Sequence, residues 1–253
     1  LLSHNEEGQV LCTYPGADNS MTPRILVIIP ALNEEMSIGK VIADIPHDLV
    51  SEVVVTDNGS TDRTADVAVD AGATVLREER RGYGYACMKG ILYALSKSDS
   101  EKPEIVVFLD GDYSDYPEEM PLLVKPIIED GFDIIIGSRA TGERERGSLL
   151  PQALFGNALA ATLIKWLYGV GFTDLGPFRA IRFDKLQGLG MSDMTYGWTV
   201  EMQIKAAKQG LRCGEVPVSY RKRIGVSKVT GTLGGTVRAG YRILWTIFKN
   251  IGD

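Results

Sequence analysis

The chain has 253 residues, 44% of them hydrophobic and 24% charged, with a formal net charge of −6. Those proportions exclude a disordered or fibrous chain, and at this length one α/β domain with at most a small appendage is expected. The acidic balance disfavours nucleic acid as a partner, yet it is uneven: eight Lys/Arg against the single acid Glu215 lie between Arg212 and Lys249, about +7 locally, which leaves the remainder near −13.

Residues 1–23 are polar and punctuated by Gly and Pro, and read as an extended lead-in. They lack a basic region followed by an apolar stretch. No segment reaches the roughly 18 uncharged apolar residues that a membrane span needs, so no transmembrane helix is expected. Cys12, Cys87 and Cys213 are odd in number and far apart, which argues against a disulfide framework or a zinc site and fits a reducing cytosol.

A regular alternation follows. Residues 24–30 (RILVIIP), 52–57 (EVVVTD), 104–110 (EIVVFLD) and 133–138 (DIIIGS) are short β-branched runs, and helical spacing fills 35–45, 61–71, 84–97 and 117–130. Continuous apolar strands imply burial on both faces, hence an α/β scaffold: a mostly parallel sheet flanked by helices. Ligands of such sheets bind at the carboxyl ends of the strands. The second half predicts helices over 151–169, 196–210 and 232–251, with short strands in 173–182 and 211–220. Neither an internal repeat nor a Gly/Ser/Pro-rich linker is present. The expected organisation is a lead-in (1–23), one main domain (24–231) and a C-terminal amphipathic helix (232–253).

The strand-end rule gathers Asn33, Glu34, Glu35, Asp57, Asn58, Asp110, Asp112, Ser138 and Arg139 along one rim; His4 and His47 lie off it. In TDNGSTDRT (56–64), Ser60 or Thr61 is available as N-cap and Asp62 suits a first helical turn, while Asp57 is able to accept the N–H groups of a nucleobase. RRGYGYACMKG (80–90) is not a dinucleotide loop, because no strand leads into it and Cys87 replaces the third glycine. Its glycines mark either a tight backbone approach beside a ligand or a helix start.

Asp110-Gly111-Asp112 is either a solvated turn or a site for Mg²⁺ or Mn²⁺, since hard cations take carboxylate oxygens and bridge them to phosphates. Gly111 would let the backbone pass close to the ligand. Asp115 is a third ligand through water or, preferably, the N-cap of the helix that Pro117 begins. Arg139, with Arg144 and Arg146 on a Gly-bounded loop, suits phosphate, which guanidinium pairs bidentately; Glu143 and Glu145 offer the alternative of local neutralisation.

PALNEE, DNGSTDRT, the Asp-x-Asp at a strand end, GSR, TDLGPFRAIR and YGWTVEMQ follow one another in an order and spacing that resembles family 2 glycosyltransferases of the GT-A (Rossmann-like) fold. More narrowly the set, over roughly residues 24–230, is similar to the dolichol-phosphate or polyprenyl-phosphate mannose and glucose synthases. The resemblance implies that Pro30, Asn33, Glu35 and Asp57 line the nucleotide pocket, that Asp110 and Asp112 handle ribose, metal and diphosphate, and that Arg139 with a loop arginine holds the acceptor phosphate. It places Glu201 near the sugar, Arg223 and Lys228 near the phosphates, and matches Asp174 in TDLG. Ser114 and Asp115 stand where relatives often carry Gln or His.

The implied activity is metal-dependent, inverting transfer of a hexose, glucose or mannose, from a UDP or GDP sugar to a lipid phosphate, at the cytoplasmic face of a membrane. A phosphate acceptor is already anionic and needs positioning; a hydroxyl acceptor would need a base such as Glu201 or Asp174. The alternatives are the same donor chemistry with a hydroxyl acceptor, or a non-catalytic nucleotide-sugar binder. Residues 236–251, with Trp245 and Phe248 beside Arg238, Arg242 and Lys249, would lie on an anionic bilayer, or dock on the enzyme's own body or on a partner.

Overall fold

The structure, a computed structural model, describes residues 2–4, 10–12, 23–225 and 233–251. Lys228 lies outside the described residues. Within the lead-in, β1 (Leu2–His4) and β2 (Val10–Cys12) pair antiparallel as a separate small sheet.

The main sheet has seven strands: β3 (Ile25–Ala31), β4 (Glu52–Asp57), β5 (Thr74–Arg77), β6 (Ile105–Phe108), β7 (Ile134–Ser138), β8 (Arg179–Arg182) and β9 (Cys213–Pro217). Their order is β5-β4-β3-β6-β8-β7-β9, parallel except where β8 runs antiparallel between β6 and β7. The parallel strands require crossovers, supplied by α1 (Ile38–Ala43), α2 (Thr64–Asp70), α3 (Tyr83–Ser96) and α4 (Met120–Glu129). The chain then adds α5 (Pro151–Tyr168), α6 (Phe183–Gly188), α7 (Trp198–Lys208) and α8 (Leu233–Lys249).

The apolar run of β3 is buried on both faces, as its lack of alternation implies. Leu26 and Ile28 join a core with α3, α5 and α7, in which Trp198 meets Phe108 edge-on at 6.4 Å. Ile25, Val27 and Ile29 point the other way, to Ile38, Val41 and Ile42 of α1 and Leu123 of α4. Each fully buried aliphatic side chain contributes about 1.5–3 kcal/mol. α8 closes the first layer: Ile247 is fully buried, and Asp193 accepts bonds from Arg242 Nε and Thr246 Oγ1 at 3.1 and 3.0 Å. The C-terminal helix therefore docks on the protein's own body by one face.

Two elements escape the sequence pattern. β5 is a four-residue edge strand, half-buried along most of its length, and α6 follows β8 directly with no turn residues between them. The expected N-cap at Ser60 or Thr61 also moves: α2 starts at Thr64, and Asp62 Oδ1 accepts the Thr64 N–H at 3.0 Å. Asp115 is not a cap either. The short 3-10 turn Pro117–Glu119 follows Tyr116 without any side-chain cap, and Asp115 is buried.

Gly84 marks a tight approach, but to protein rather than ligand. A Cβ there would lie 2.2 Å from the Asp193 carbonyl oxygen and 2.5 Å from Met194 Cα, both backbone atoms that cannot swing aside. Gly84→Ala is expected to cost about 1–3 kcal/mol as overpacking and to lower the melting temperature by about 5 °C, read by thermal denaturation.

Candidate active site

The carboxyl ends of β3, β4 and β6 open into a cavity of about 300 Å³. Its walls include Pro30, Glu34, Asn58, Tyr83, Asp110 and Asp112, with Tyr196 and Arg223 closing it from the second half of the chain. The loop after β3 is held by Asn33, in the left-handed region at φ 53°. Its N–H donates to Ser60 Oγ at 2.9 Å and its Oδ1 accepts the Thr61 N–H at 2.8 Å. Asn33 thus clamps two rim loops and does not line the cavity.

The neighbouring glutamates separate by role. Glu35 accepts the Arg63 N–H at 3.0 Å and does not line the cavity, whereas Glu34 does line it and pairs with Arg223 at 3.3 Å. The expectation that Glu35 lines the pocket is corrected to Glu34, because Glu35 is spent on the start of α2. Asp57 is buried, accepts the Ser60 N–H at 2.9 Å, and does not line the cavity; Asn58 takes that wall. Asn58 donates to the carbonyls of Glu78 and Arg80 and accepts the Gly82 N–H, which fixes the loop before α3.

Asp110 and Asp112 line the same cavity. Asp110 Oδ1 accepts the Tyr83 hydroxyl at 3.1 Å. Asp112 Oδ1 accepts both the N–H and the hydroxyl of Ser114, and its Oδ2 meets Arg223 at 3.1 Å. Tyr113, between Asp112 and Ser114, takes positive φ, its ring under the Arg221 guanidinium at 3.4 Å and its hydroxyl on Asp44. Gly111 lines the cavity through its backbone, and a Cβ there would face Ala31, Ile29 and Ile38 at an ordinary 3.5 Å, so no close pass to a ligand requires the glycine.

The donor set fits a hard divalent cation of the kind that takes one or two carboxylates and completes its shell with phosphate and water. Among the described residues no third His, Cys, Asp or Glu joins the pair. Asp115, weighed as that third ligand, is buried with neither carboxylate oxygen bonded. Burial first, and then Asp110, pushes its carboxyl well above the ordinary range, favouring the neutral acid.

A second cavity of about 370 Å³ adjoins the first and shares Tyr83, Asp110, Tyr196 and Arg223 with it. Arg139, Arg144 and Tyr220 stand at its polar end, and Leu150, Ala153 and Leu154 of the α5 region face Ala239 and Ile243 of α8 along its apolar length. Arg139 Nε and Nη2 donate to Asp174 at 2.7 and 2.8 Å, and the Arg139 N–H adds a third bond. Burial opposes ionisation of Asp174, but Arg139 outweighs it and holds the carboxyl below its usual range.

Glu201 is placed elsewhere. It accepts the N–H groups of Ser192 and Asp193 and pairs with Lys205 at 2.9 Å, so it braces the loop before α7 and lines neither cavity. Burial works against its charge, but these bonds leave its carboxyl below the ordinary range. The sequence reading passed over Tyr83, Tyr196 and Tyr220, for which only the first carried a signal, its place in the Gly-Tyr-Gly-Tyr run. It also passed over Arg179, buried on β8 and donating to the carbonyls of Leu175, Gly176 and Thr199. Burial depresses that guanidinium to about 10.

Known proteins resemble this chain in sequence and in fold. Residues 26–190 match the family described as Glycosyl transferase family 2. A dolichyl-phosphate hexose transferase of Haloferax volcanii is 35% identical over 214 residues, 83% of this chain and 89% of that protein. An undecaprenyl-phosphate mannosyltransferase of Micrococcus luteus is 28% identical over 227 residues, 84% and 90% of the two chains. Among solved structures, glucosyl-3-phosphoglycerate synthase from Mycobacterium tuberculosis in complex with Mn²⁺, UDP-glucose and phosphoglyceric acid superposes with a TM-score of 0.72 at 25% identity, covering 91% of this chain and 80% of that one.

Burial, reinforced by Asp112, pushes Asp110 from its ordinary 3.8 up to about 7. The unfolded chain ionises this group first, so raising the pH from about 4 to about 7 favours unfolding, and the cost is complete above about pH 7. Asp110→Asn is therefore expected to melt higher than the wild type in metal-free buffer, by a wider margin at pH 8 than at pH 6. Mn²⁺ should raise the wild-type melting temperature at pH 8, less at pH 6 where it must displace a proton, and leave the variant nearly unmoved.

Proposed function

The chain belongs to glycosyl transferase family 2, and on that premise we propose that it moves a hexose from a nucleoside-diphosphate sugar, with UDP as the nucleotide, to a polyprenyl or dolichyl phosphate. One observation carries the reading: a carboxylate-lined cavity and an arginine-ended apolar groove meet at Tyr83, Asp110, Tyr196 and Arg223. The first suits a diphosphate with its cation, the second a phosphate with an apolar tail, and their junction is where a sugar would pass between them. The names of the Haloferax and Micrococcus relatives, and the UDP-glucose and Mn²⁺ bound by the Mycobacterium neighbour, point the same way.

In this reading an acceptor phosphate oxygen attacks the anomeric carbon from the side opposite the diphosphate. A new C–O bond forms, the bond to the β-phosphate oxygen breaks, and its electron pair departs with the nucleoside diphosphate, inverting the anomeric centre. Asp110 and Asp112 would hold Mg²⁺ or Mn²⁺, which when bound offsets the charge growing on the leaving group. Arg223, poised between Glu34 and Asp112, adds positive charge beside the diphosphate, with Lys228 proposed nearby. Arg139 is aligned by Asp174 through two nitrogens, which leaves Nη1 for the acceptor phosphate, and Arg144 lines the same groove.

A hydroxyl acceptor would require a base at the junction. Asp174 and Glu201 are both held below their ordinary range and occupied by donors, so neither suits that task, and a phosphate acceptor needs none. No helix among the described residues is long and apolar enough to cross a membrane; the lipid acceptor would bring the enzyme to the cytoplasmic membrane face, with 236–251 in contact.

UDP with Mn²⁺ is expected to raise the melting temperature by several degrees, GDP much less, and chelator or Asp112→Asn should remove the metal-dependent part. Transfer to polyprenyl phosphate should exceed transfer to dephosphorylated polyprenol by at least about 100-fold; equal rates would reject the phosphate acceptor. Asp174→Asn should cost about 3 kcal/mol of stability by leaving a buried guanidinium unpaired, and should raise KM for the lipid phosphate more than KM for the donor.

A further inference from the structure

Residues 189–197 join α6 to α7 and bring Thr195 and Tyr196 to the first cavity; Tyr196 also lines the second. The stretch contains no helix or strand, so its backbone groups find their partners elsewhere. Glu201 takes the N–H groups of Ser192 and Asp193. The Met194 carbonyl accepts the Tyr85 N–H at 3.3 Å, which ties the loop to the start of α3. A third support is the side chain of Asp193, a buried residue.

The two oxygens of that carboxylate have different partners. Oδ1 accepts the N–H and the hydroxyl of Thr195, each at 2.7 Å. Oδ2 accepts Arg242 Nε at 3.1 Å and Thr246 Oγ1 at 3.0 Å, groups that lie 49 and 53 residues further along the chain. Burial opposes the charge of Asp193, but Thr195 and Arg242 outweigh it and hold the carboxyl below its ordinary range, so the bonds are made to a carboxylate and are the stronger for it. Arg242 and Thr246 stand four apart, hence on one face of α8, and neither lines a cavity. Gly197 closes the contact. Its φ of −76° is open to any residue, yet a Cβ there would collide with Asp193 Oδ2 and Thr246 Oγ1.

We propose that Asp193 is a positioning residue for hexosyl transfer: through it, the docked α8 sets where Thr195 and Tyr196 stand at the junction of the two cavities. This rests on the transfer reading for its purpose. The junction is where the hexose passes, so a wall displaced there slows transfer, whereas a nucleotide bound beside Pro30 and Asn58 is untouched. Misplacement by about 1 Å costs up to about 100-fold in rate when reacting groups must be aligned.

Asp193→Ala would release the loop and α8 together, so the test cuts the α8 side alone. Arg242→Met/Thr246→Val, made in the full chain, removes both donors to Oδ2 and leaves Thr195 on Oδ1. Hydrogen exchange read by mass spectrometry should show the amides of 192–196 exchanging at least about tenfold faster than in the wild type, with those of α3 unchanged. The kcat for transfer from UDP-glucose to polyprenyl phosphate should fall at least about tenfold, while the Kd for UDP with Mn²⁺, read by calorimetry, stays that of the wild type. Arg242→Lys/Thr246→Ser restores both donors and should recover the rate. Lys208→Met removes a different tie to α8, the 2.8 Å bond to the Asn250 carbonyl, and should leave both exchange at 192–196 and kcat as in the wild type. Thr246→Val alone should show the same split at smaller size, and is read in place of the pair if the pair unfolds. The proposal is overturned if the α8-side variants exchange or transfer as the wild type does, if UDP affinity falls as far as kcat, or if Lys208→Met lowers kcat equally. A wild type that transfers nothing rejects the lipid-phosphate reading instead; faster exchange in the variant then still supports the tie through Asp193, and unchanged exchange overturns it.

Discussion

The central strands of this sheet have no face to offer water. β3 and β6 are buried on both sides, so a charged side chain placed within them would lose its hydration with nothing to replace it. Polar chemistry is thereby expelled to the strand ends, and the carboxyl ends collect it. Asp110 and Asp112 follow β6, and Glu34 follows β3, within one cavity. Crowding carboxylates there has its own electrostatic cost, met by a crossing strap: the segment from Val218 to Ile224 bonds the backbone of Asp112 and Ser114 and carries Arg223 to Asp112 and Glu34. The acids are held apart and partly neutralised before any ligand arrives.

That constraint explains what was legible. Uninterrupted apolar runs announce strands buried on both faces, and the strand-end rule then locates the rim without any tertiary information. Asp110, Asp112 and Arg139, which this rule places on the rim, all line one of the two adjoining cavities. The rule locates a loop, however, and not the direction of a side chain in it. Glu34 and Glu35 are indistinguishable in sequence; only the left-handed turn at Asn33 and the demand of Arg63 for an acceptor decide which faces the cavity. Asp115 failed for a related reason. Asp-x-Pro reads as a cap, whereas the backbone bridge between Asp115 and Tyr220 draws that residue into the protein, away from the turn.

The second half was harder because its geometry depends on pairing across distance. β8 enters the sheet from the rim and runs against its neighbours, so the residues just before it, including Asp174, lie beside the end of β7 and meet Arg139. No local pattern encodes that meeting, which spans 35 residues. Its effect is to fix a guanidinium by two nitrogens and a backbone bond, so that little side-chain freedom remains to be lost when an anion binds. Glu201 shows the converse: a conspicuous acid inside YGWTVEMQ that the fold spends on the N–H groups of the loop ahead of α7.

The uneven charge noted in the sequence gains a physical meaning from this arrangement. A net charge of −6 would repel an anionic surface if the protein were a uniform sphere, but at physiological salt a charge is felt over only about 8 Å. What a bilayer or a lipid phosphate meets is the local sign. Neither α5 nor α8 carries an acid of its own, while Asp110 and Asp112 bring carboxyls to the adjoining cavity. In the proposed reading the same chain would attract a cation and an anionic acceptor at adjoining sites, provided the two are separated by residues that screen one from the other. Arg223 and Tyr83, shared by both cavities, stand at that boundary.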